Sequence, residues 1–224
     1  MKVVDLSQRL GPDTIPWAGS EPLRADVLSS LERGDGAYFR RLELEEHLGT
    51  HIDAPAHFFS GGRTVDDLRG DELVQPAFVV DCRDACGGNA DYVIRAGAIE
   101  EFEREHGRLP ERALVLACTG WDVFRDDGAR YLGDPPRFPG FGIDAARRLL
   151  ERGVAAIGID TLGVDPGQAT DLPVHHLTSP AGVWHIEGLV NLDRLPPTGA
   201  TVVVGALPLV DGSGTPARVL ALIP

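Results

Sequence analysis

The chain has 224 residues, enough for one sizeable hydrophobic core, and its 43% hydrophobic content is ordinary for a soluble protein. Its formal net charge of −13, with no run of Lys or Arg, argues against binding to nucleic acid or to an anionic membrane surface. No apolar stretch has the length of a transmembrane helix and the first residues do not resemble a signal peptide, so we expect a cytoplasmic protein.

Short apolar runs separated by Gly, Pro and Asp dominate the chain and predict a strand-rich fold. In chain order, strands are predicted at 3–6, 38–47, 78–82, 113–118, 154–160, 201–209 and 217–223. Helices are predicted at 98–106 and 143–152. The alternation over 38–47 indicates a half-buried strand. Because the second helix ends at Gly153 and leads directly into a strand, we expect a βαβ unit within one α/β domain spanning 1–224.

Four metal-competent side chains lie within eleven residues of the first half of the chain. They are His47, His51, Asp53 and His57. Imidazole and carboxylate are usual ligands of zinc, manganese and iron, so this segment predicts a metal site. In a straight strand the Cα atoms of His47 and His51 would be about 13 Å apart, too far for one ion, but Gly49 permits a bend. Since Pro55 suits the first turn of a helix, we expect a strand that kinks at Gly49 and leads into a helical turn carrying His57.

A second histidine-rich stretch lies in the last quarter of the chain. Six of the seven histidines fall within 47–57 or 175–185, as expected for one site that folding assembles from two segments. Glu187 lies in an apolar run, where an unpaired carboxylate is costly, so it needs a cation or hydrogen-bond donors. We therefore expect the segment around Glu187 to contribute to the metal site.

These motifs resemble a known family. The segment H-L-G-T-H-I-D-A-P-A-H-F at 47–58 is similar to the H-x-G-T-H-x-D-x-P-x-H signature of the cyclase-like metal-dependent hydrolases, which include bacterial kynurenine formamidase and isatin hydrolase. The resemblance covers essentially the whole chain, including 158–166 and 187–192. It implies an α/β fold with a mixed, largely antiparallel sheet partly rolled into a barrel with flanking helices (the swivelling β/β/α type). It also implies a homodimer or a higher homo-oligomer.

The resemblance implies roles for individual residues. The positions that match ligands of a first metal ion are His47, His51 and Asp53. His57 matches the catalytic histidine. In relatives with two ions, a second site shares the Asp and is completed by a His and a Glu twelve residues later, a spacing that selects His175 with Glu187. His176 and His185 match no family ligand; they could support other ligands, contact substrate or lie at the surface, and we favour the last two. The expected cofactor is zinc or manganese, with one or two ions per subunit.

The implied activity is hydrolysis of an amide-type C–N bond in a small molecule, either an aryl formamide or a cyclic amide. A metal-activated water would attack, Glu187 would bind an ion or orient the water, and His57 would transfer the proton to the departing nitrogen. Candidates for an apolar, substrate-binding pocket wall are Trp17, Phe58 and Trp121. The residues do not decide between N-formylkynurenine and isatin as substrate.

Two other classes of protein remain open from the residues themselves. His51, Asp53 and a distant His175 also match the 2-His-1-carboxylate triad of non-haem iron oxygenases, although that triad needs neither His47 nor His57. A metal ion that only stabilises the fold would need a coordinatively closed site.

Overall fold

The computed structural model describes all 224 residues and contains twelve β-strands, five α-helices and six short 3-10 helices. The strands are β1 (Lys2–Asp5), β2 (Arg24–Ser29), β3 (Phe39–Glu43), β4 (His51–Asp53), β5 (Val74–Asp81), β6 (Val93–Ile94), β7 (Leu114–Cys118), β8 (Gly140–Phe141), β9 (Ala156–Ile159), β10 (Trp184–Glu187), β11 (Ala200–Ala206) and β12 (Gly214–Ile223). The α-helices are α1 (Arg83–Cys86), α2 (Ala96–His106), α3 (Gly128–Tyr131), α4 (Ile143–Glu151) and α5 (Pro173–Thr178). The 3-10 helices are Leu31–Arg33, Pro55–His57, Val65–Asp67, Trp121–Phe124, Ser179–Ala181 and Leu192–Arg194. None of the helices combines the length and the apolar character needed to cross a membrane.

Seven strands close into a barrel at the centre of the structure. Their order is β12-β11-β5-β7-β9-β10-β4, and β4 pairs in turn with β12, while β1 adds to β12 as an eighth strand. The three pairings among β5, β7, β9 and β10 are parallel, and the other five are antiparallel. This confirms the expected mixed, largely antiparallel barrel, and the barrel is fully closed rather than partly rolled. The predicted βαβ unit is also confirmed, because α4 precedes β9 and β9 pairs in parallel with β7.

Two hydrophobic cores form on the two faces of the barrel wall. One contains 21 buried residues contributed by the strands on both sides of the barrel, such as Ile52, Leu116 and Ile186, and it fills the interior. The other contains 19 residues and lies between the parallel strands and the helices, where Phe102 of α2 and Leu149 of α4 pack. Because successive side chains of a strand point to opposite faces, β5, β7 and β9 each contribute to both cores. The helices therefore cover the outer face of the parallel half.

The expectation for residues 38–47 is wrong in length and in burial. The strand β3 ends at Glu43 and pairs only with β2, and all five of its residues are exposed. Its alternation of apolar and charged residues faces no core, because the β2–β3 hairpin forms a separate two-stranded sheet. The chain then runs as a loop to β4, so the kink at Gly49 follows a loop and not a strand.

Leu116 tests the packing of the barrel interior. Its side chain is completely buried in β7, so Leu116→Ala should lower the free energy of unfolding by about 2–5 kcal/mol through lost burial and a cavity. The matched control is Leu31→Ala, because Leu31 is 65% exposed and its truncation should change stability by less than about 0.5 kcal/mol. Urea unfolding followed by circular dichroism measures both. Equal stability of the two variants would contradict the interior position of Leu116.

Candidate metal centre

Strands β4 and β10 place four ionisable side chains on one face of the barrel wall. In this antiparallel pair His51 lies opposite Glu187, and Asp53 lies opposite His185. The isoleucines between them belong to the barrel interior, so the four ionisable side chains point to the outer face. All four are buried. Strand pairing therefore brings the two histidine-rich segments of the sequence together.

The imidazole of His47 fits beside this group because of two glycines. The backbone of Gly49 has φ +65° and turns the chain between His47 and His51, which confirms the predicted bend and leaves the two ring centroids 5.3 Å apart. On β12, Gly214 lies opposite Asp53, and a Cβ at Gly214 would overlap the His47 ring. The Nδ1 atom of His47 lies 2.7 Å from Oδ1 of Asp53.

Helix α5 brings His175 to the same two carboxylates. Asp165 holds the start of this helix, because its carboxylate accepts hydrogen bonds from the backbone N–H groups of Val174 and His175 at 2.8 and 3.0 Å. The same carboxylate accepts a hydrogen bond from Nδ1 of His175 at 2.6 Å. The helix and the orientation of its imidazole are therefore fixed by one buried side chain.

The distances between donor atoms match those of a metal coordination sphere. Nε2 of His51 lies 3.3 Å from Oδ1 of Asp53 and 3.4 Å from Oε2 of Glu187. Nε2 of His175 lies 3.4 Å from Oδ2 of Asp53 and 3.2 Å from Oε1 of Glu187. With bonds of about 2.1 Å to nitrogen and oxygen, tetrahedral or octahedral ligands are separated by roughly 3.0–3.4 Å. The two carboxylates thus each offer one oxygen to His51 and the other oxygen to His175.

Hydrogen bonds on the outer side fix which nitrogen of each ring faces the carboxylates. Nδ1 of His51 donates to the carbonyl of Gly49 at 3.0 Å, and Nδ1 of His175 donates to Asp165. In the neutral ring the inner Nε2 atoms then have lone pairs that point towards carboxylate oxygens. Either a second proton or a cation must lie between each such pair.

The same arrangement holds for His47. The hydroxyl of Ser213 donates to Glu46 at 2.6 Å, so it accepts a hydrogen bond from Nε2 of His47 at 2.9 Å. The inner Nδ1 atom then faces Asp53. Hydrogen bonding of the outer nitrogen to a protein oxygen is a general feature of histidines that bind metals.

The two carboxylates create a strongly negative potential in the site. Burial lowers the pKa of a histidine, yet hydrogen bonds and charges from Asp53 and Glu187 raise the pKa of His51 to about 10 and raise that of His175 well above its ordinary value. Burial also opposes charge on the acids, but hydrogen bonds from the histidines hold the pKa of Asp53 far below its ordinary value, and that of Glu187 is lowered to about 2. The site therefore attracts positive charge.

A cavity of about 330 Å³ opens directly beside the carboxylates. Besides the carboxylates and their histidines, it is lined by Trp17, Ser20, Glu45, His57, Phe58, Leu162, Gly163, Asp165 and Leu172. The ring of His57 stacks on that of His47, with centroids 3.8 Å apart and an interplanar angle of 20°. Although His57 keeps an exposed edge, desolvation by the surrounding protein lowers its pKa to about 4, so the ring is neutral near pH 7. Trp17 and Phe58 thus lie where the sequence predicted a pocket wall.

Trp121 is not at this cavity. Its indole is buried with Tyr131 and Phe138 in a small separate core, and its N–H donates to the carbonyl of Tyr131 at 2.9 Å. The prediction that Trp121 forms part of the pocket wall is therefore wrong. The 3-10 helix that begins at Trp121 turns its ring into the protein.

The two remaining histidines differ from each other. His176 is on the exposed side of α5, as expected. His185 is buried and faces Asp53, so the preference for a surface or substrate-contact position is wrong for it. The signal that could have found it is its spacing of two from Glu187, which places both side chains on one face of a strand. The supporting residues Asp165 and Ser213 carry no comparable local signal.

Comparisons with known proteins agree with this geometry. The family model described as "Putative cyclase" matches residues 4–166. The chain is 33% identical to isatin hydrolase of Roseibium aggregatum, with 100% of this chain and 92% of that protein covered, and 32% identical to kynurenine formamidase of Salinibacter ruber, with 97% and 96% covered. The crystal structure of an isatin hydrolase bound to the product analogue thioisatinate aligns with a TM-score of 0.93 and 30% identity, over 100% of this chain and 92% of that one.

The chain belongs to the cyclase family. The family match and the named relatives favour a hydrolase over an oxygenase. The cluster of histidines and carboxylates is consistent with a divalent metal ion in this hydrolase. The similarity extends beyond the segment at 47–58, because the relatives align over nearly the whole chain.

Gly214 provides a test of how His47 is placed. In Gly214→Ala the added methyl group should displace the imidazole from Asp53 and weaken divalent metal binding about tenfold or more. Calorimetric titration with zinc or manganese measures this effect. Gly70→Ala is the matched control, since no atom lies within 4 Å of a Cβ added at Gly70. Unchanged binding in Gly214→Ala would contradict the role assigned to this glycine.

Proposed function

We propose that this chain is a metal-dependent hydrolase that cleaves an amide-type C–N bond in an aryl formamide or a cyclic amide. The observation that carries the proposal is the set of inner imidazole nitrogens facing two buried carboxylates beside an open cavity. The relatives support the type of bond, because isatin is a cyclic amide and a formamidase cleaves a formamide.

The proposed metal ligands form two groups that share Asp53. His47 and His51 face Oδ1 of Asp53, whereas His175 faces Oδ2 of Asp53 and Oε1 of Glu187; the other oxygen of Glu187 lies 3.4 Å from His51. We propose that the groups bind one or two divalent ions, zinc or manganese, because the donors are imidazole and carboxylate without a thiolate. Such an ion supplies Lewis acidity and makes hydroxide available near neutral pH.

His57 is the proposed proton carrier. It stacks on a proposed ligand at the cavity without facing a carboxylate itself, and its ring is neutral near pH 7. It can therefore accept a proton from the attacking water and deliver it to the nitrogen as the C–N bond breaks, so that the amine leaves neutral. We propose that Glu187, besides binding metal, orients this water.

The aromatic side chains of Trp17 and Phe58 are the proposed substrate contacts. They line the cavity together with leucines, and a volume of about 330 Å³ accommodates a single substituted aromatic ring. An aryl formamide and a cyclic aryl amide both have such a ring next to the bond to be cleaved. The choice between N-formylkynurenine and isatin stays a prediction, as do the homodimer or higher oligomer and the cytoplasmic location.

The proposed activity can be tested with a small substrate panel. Metal-stripped protein is assayed with N-formylkynurenine, isatin and simple aryl formamides, before and after addition of zinc or manganese, in air and without oxygen. We expect hydrolysis that returns with metal and does not depend on oxygen. Turnover that stops without oxygen would instead support the iron oxygenase, and stable metal binding without any turnover would support a structural ion.

His57→Asn tests the proton carrier separately from metal binding. Since His57 is not a proposed ligand, the variant should bind metal like the wild type but lose about 10²–10⁴-fold in kcat. In contrast, Asp53→Ala should lose both metal and activity. His106→Asn is the control, because His106 lies on α2 away from the cavity. Wild-type turnover of His57→Asn would reject the assignment.

Asp165→Asn tests the orientation of His175. The amide retains the size of the side chain but cannot accept all three hydrogen bonds that the carboxylate receives, so His175 should lose its fixed orientation. We expect metal affinity to fall by about 10–100-fold. Asp171→Asn, at an exposed position before the same helix, is the control. Equal metal affinity in the two variants would contradict the role of Asp165.

A further inference from the structure

His185 has a buried ring nitrogen without a hydrogen-bond partner. Only 1% of the residue is exposed, and its Nδ1 atom has no hydrogen-bond partner in the structure. This atom lies 3.8 Å from Oδ2 of Asp53, on the side where His175 faces the same oxygen. The unpartnered nitrogen therefore points into the group of carboxylates and histidines described above.

The neighbouring hydroxyl fixes the tautomer of His185. Thr178 has one hydroxyl proton, and it donates this proton to the carbonyl of Val174 at 2.7 Å. Its oxygen therefore accepts the hydrogen bond that joins it to Nε2 of His185 at 2.8 Å. With the proton on Nε2, the neutral ring carries a lone pair on Nδ1. A lone pair that faces a carboxylate oxygen in a buried site is destabilising unless a cation lies between them.

We propose that Nδ1 of His185 is a metal ligand, which completes a site with His175 Nε2, Asp53 Oδ2 and Glu187 Oε1. The ligand atoms of these four residues all lie within 4.8 Å of one another, and all four residues are buried. The inference rests on the proposed metal site and extends it, because neither the sequence motif nor the spacing of His175 and Glu187 assigns a ligand at 185.

The assignment makes the two ion positions unequal. Four protein ligands close the inner position, formed with His175 and His185, as in sites that hold a metal permanently. The outer position has a ligand set of only three residues, His47, His51 and Asp53, so it keeps coordination positions for water and for substrate from the cavity. The inner ion therefore binds tightly and fixes both carboxylates, whereas the outer ion exchanges.

Two substitutions at position 185 separate the ligand atom from the outer hydrogen bond. In His185→Gln the side-chain amide reaches the place of Nε2 and can still donate a hydrogen bond to Thr178. No atom that could bind a metal remains at the place of Nδ1. In His185→Asn the amide oxygen occupies the place of Nδ1. Competition titration with a chromogenic chelator measures zinc binding, with His176→Gln as an exposed control. We expect His185→Gln to lower the zinc affinity of the tighter site at least tenfold. His185→Asn should retain part of this affinity, and the control should bind zinc like the wild type.

Cobalt(II) substitution distinguishes a ligand from a residue that only positions one. Loss of an imidazole ligand should change the visible absorption of the tighter cobalt ion in His185→Gln. Wild-type zinc affinity, or weaker affinity with an unchanged cobalt spectrum, would overturn the proposal. If the variants do not fold, ¹⁵N NMR of zinc-loaded wild-type protein decides: a metal-type shift of Nδ1 of His185 supports the ligand, and a free imidazole shift rejects it. These measurements do not depend on turnover, so inactivity on the substrate panel would reject the proposed function without affecting this result.

Discussion

Two carboxylates that share one buried site are the constraint on which the centre of this protein depends. Asp53 and Glu187 lie on adjacent strands and face the same space, where their charges repel and burial limits their solvation by water. The surrounding imidazoles do not remove this repulsion in their neutral form, because their N–H groups are engaged on the outer side and their lone pairs face inward. Only protons or metal ions can balance the charge. In a hydrolase this arrangement suits the binding of a divalent cation next to the cavity.

The barrel supplies the rigidity that such a site needs. Three strands meet at Asp53, since β4 pairs with both β10 and β12, and the opposite faces of these strands are fixed by the hydrophobic interior. A shift of the β4–β10 pairing by one residue would turn the ligands into the core, so the packing of the isoleucines also sets the ligand geometry. The rest of the cavity lining comes from loops and short helical turns.

Much of the site was predictable because its signals are local. His47, His51, Asp53 and His57 lie in one short segment, and the bend at Gly49 follows from the distance between its histidines. The barrel itself followed from the family resemblance, whereas strand propensity predicted most of its strands. What the sequence could not specify depends on contacts between distant segments. The exposure of β3, the direction of the Trp121 ring and the hydrogen bonds to Asp165 and Ser213 are set by tertiary packing. The position of His185 was not predicted because this residue matches no family ligand. Its spacing of two residues from Glu187, which places both side chains on one face of a strand, was not considered.

Anomalous X-ray diffraction can show directly whether the buried carboxylates bind divalent cations. Crystals of manganese- or zinc-loaded protein would be measured on both sides of the metal absorption edge. We expect anomalous peaks between Asp53 and Glu187, one beside His51 and a stronger one beside His175. Density for an ordered site without an anomalous peak at either position, at saturating metal, would contradict it.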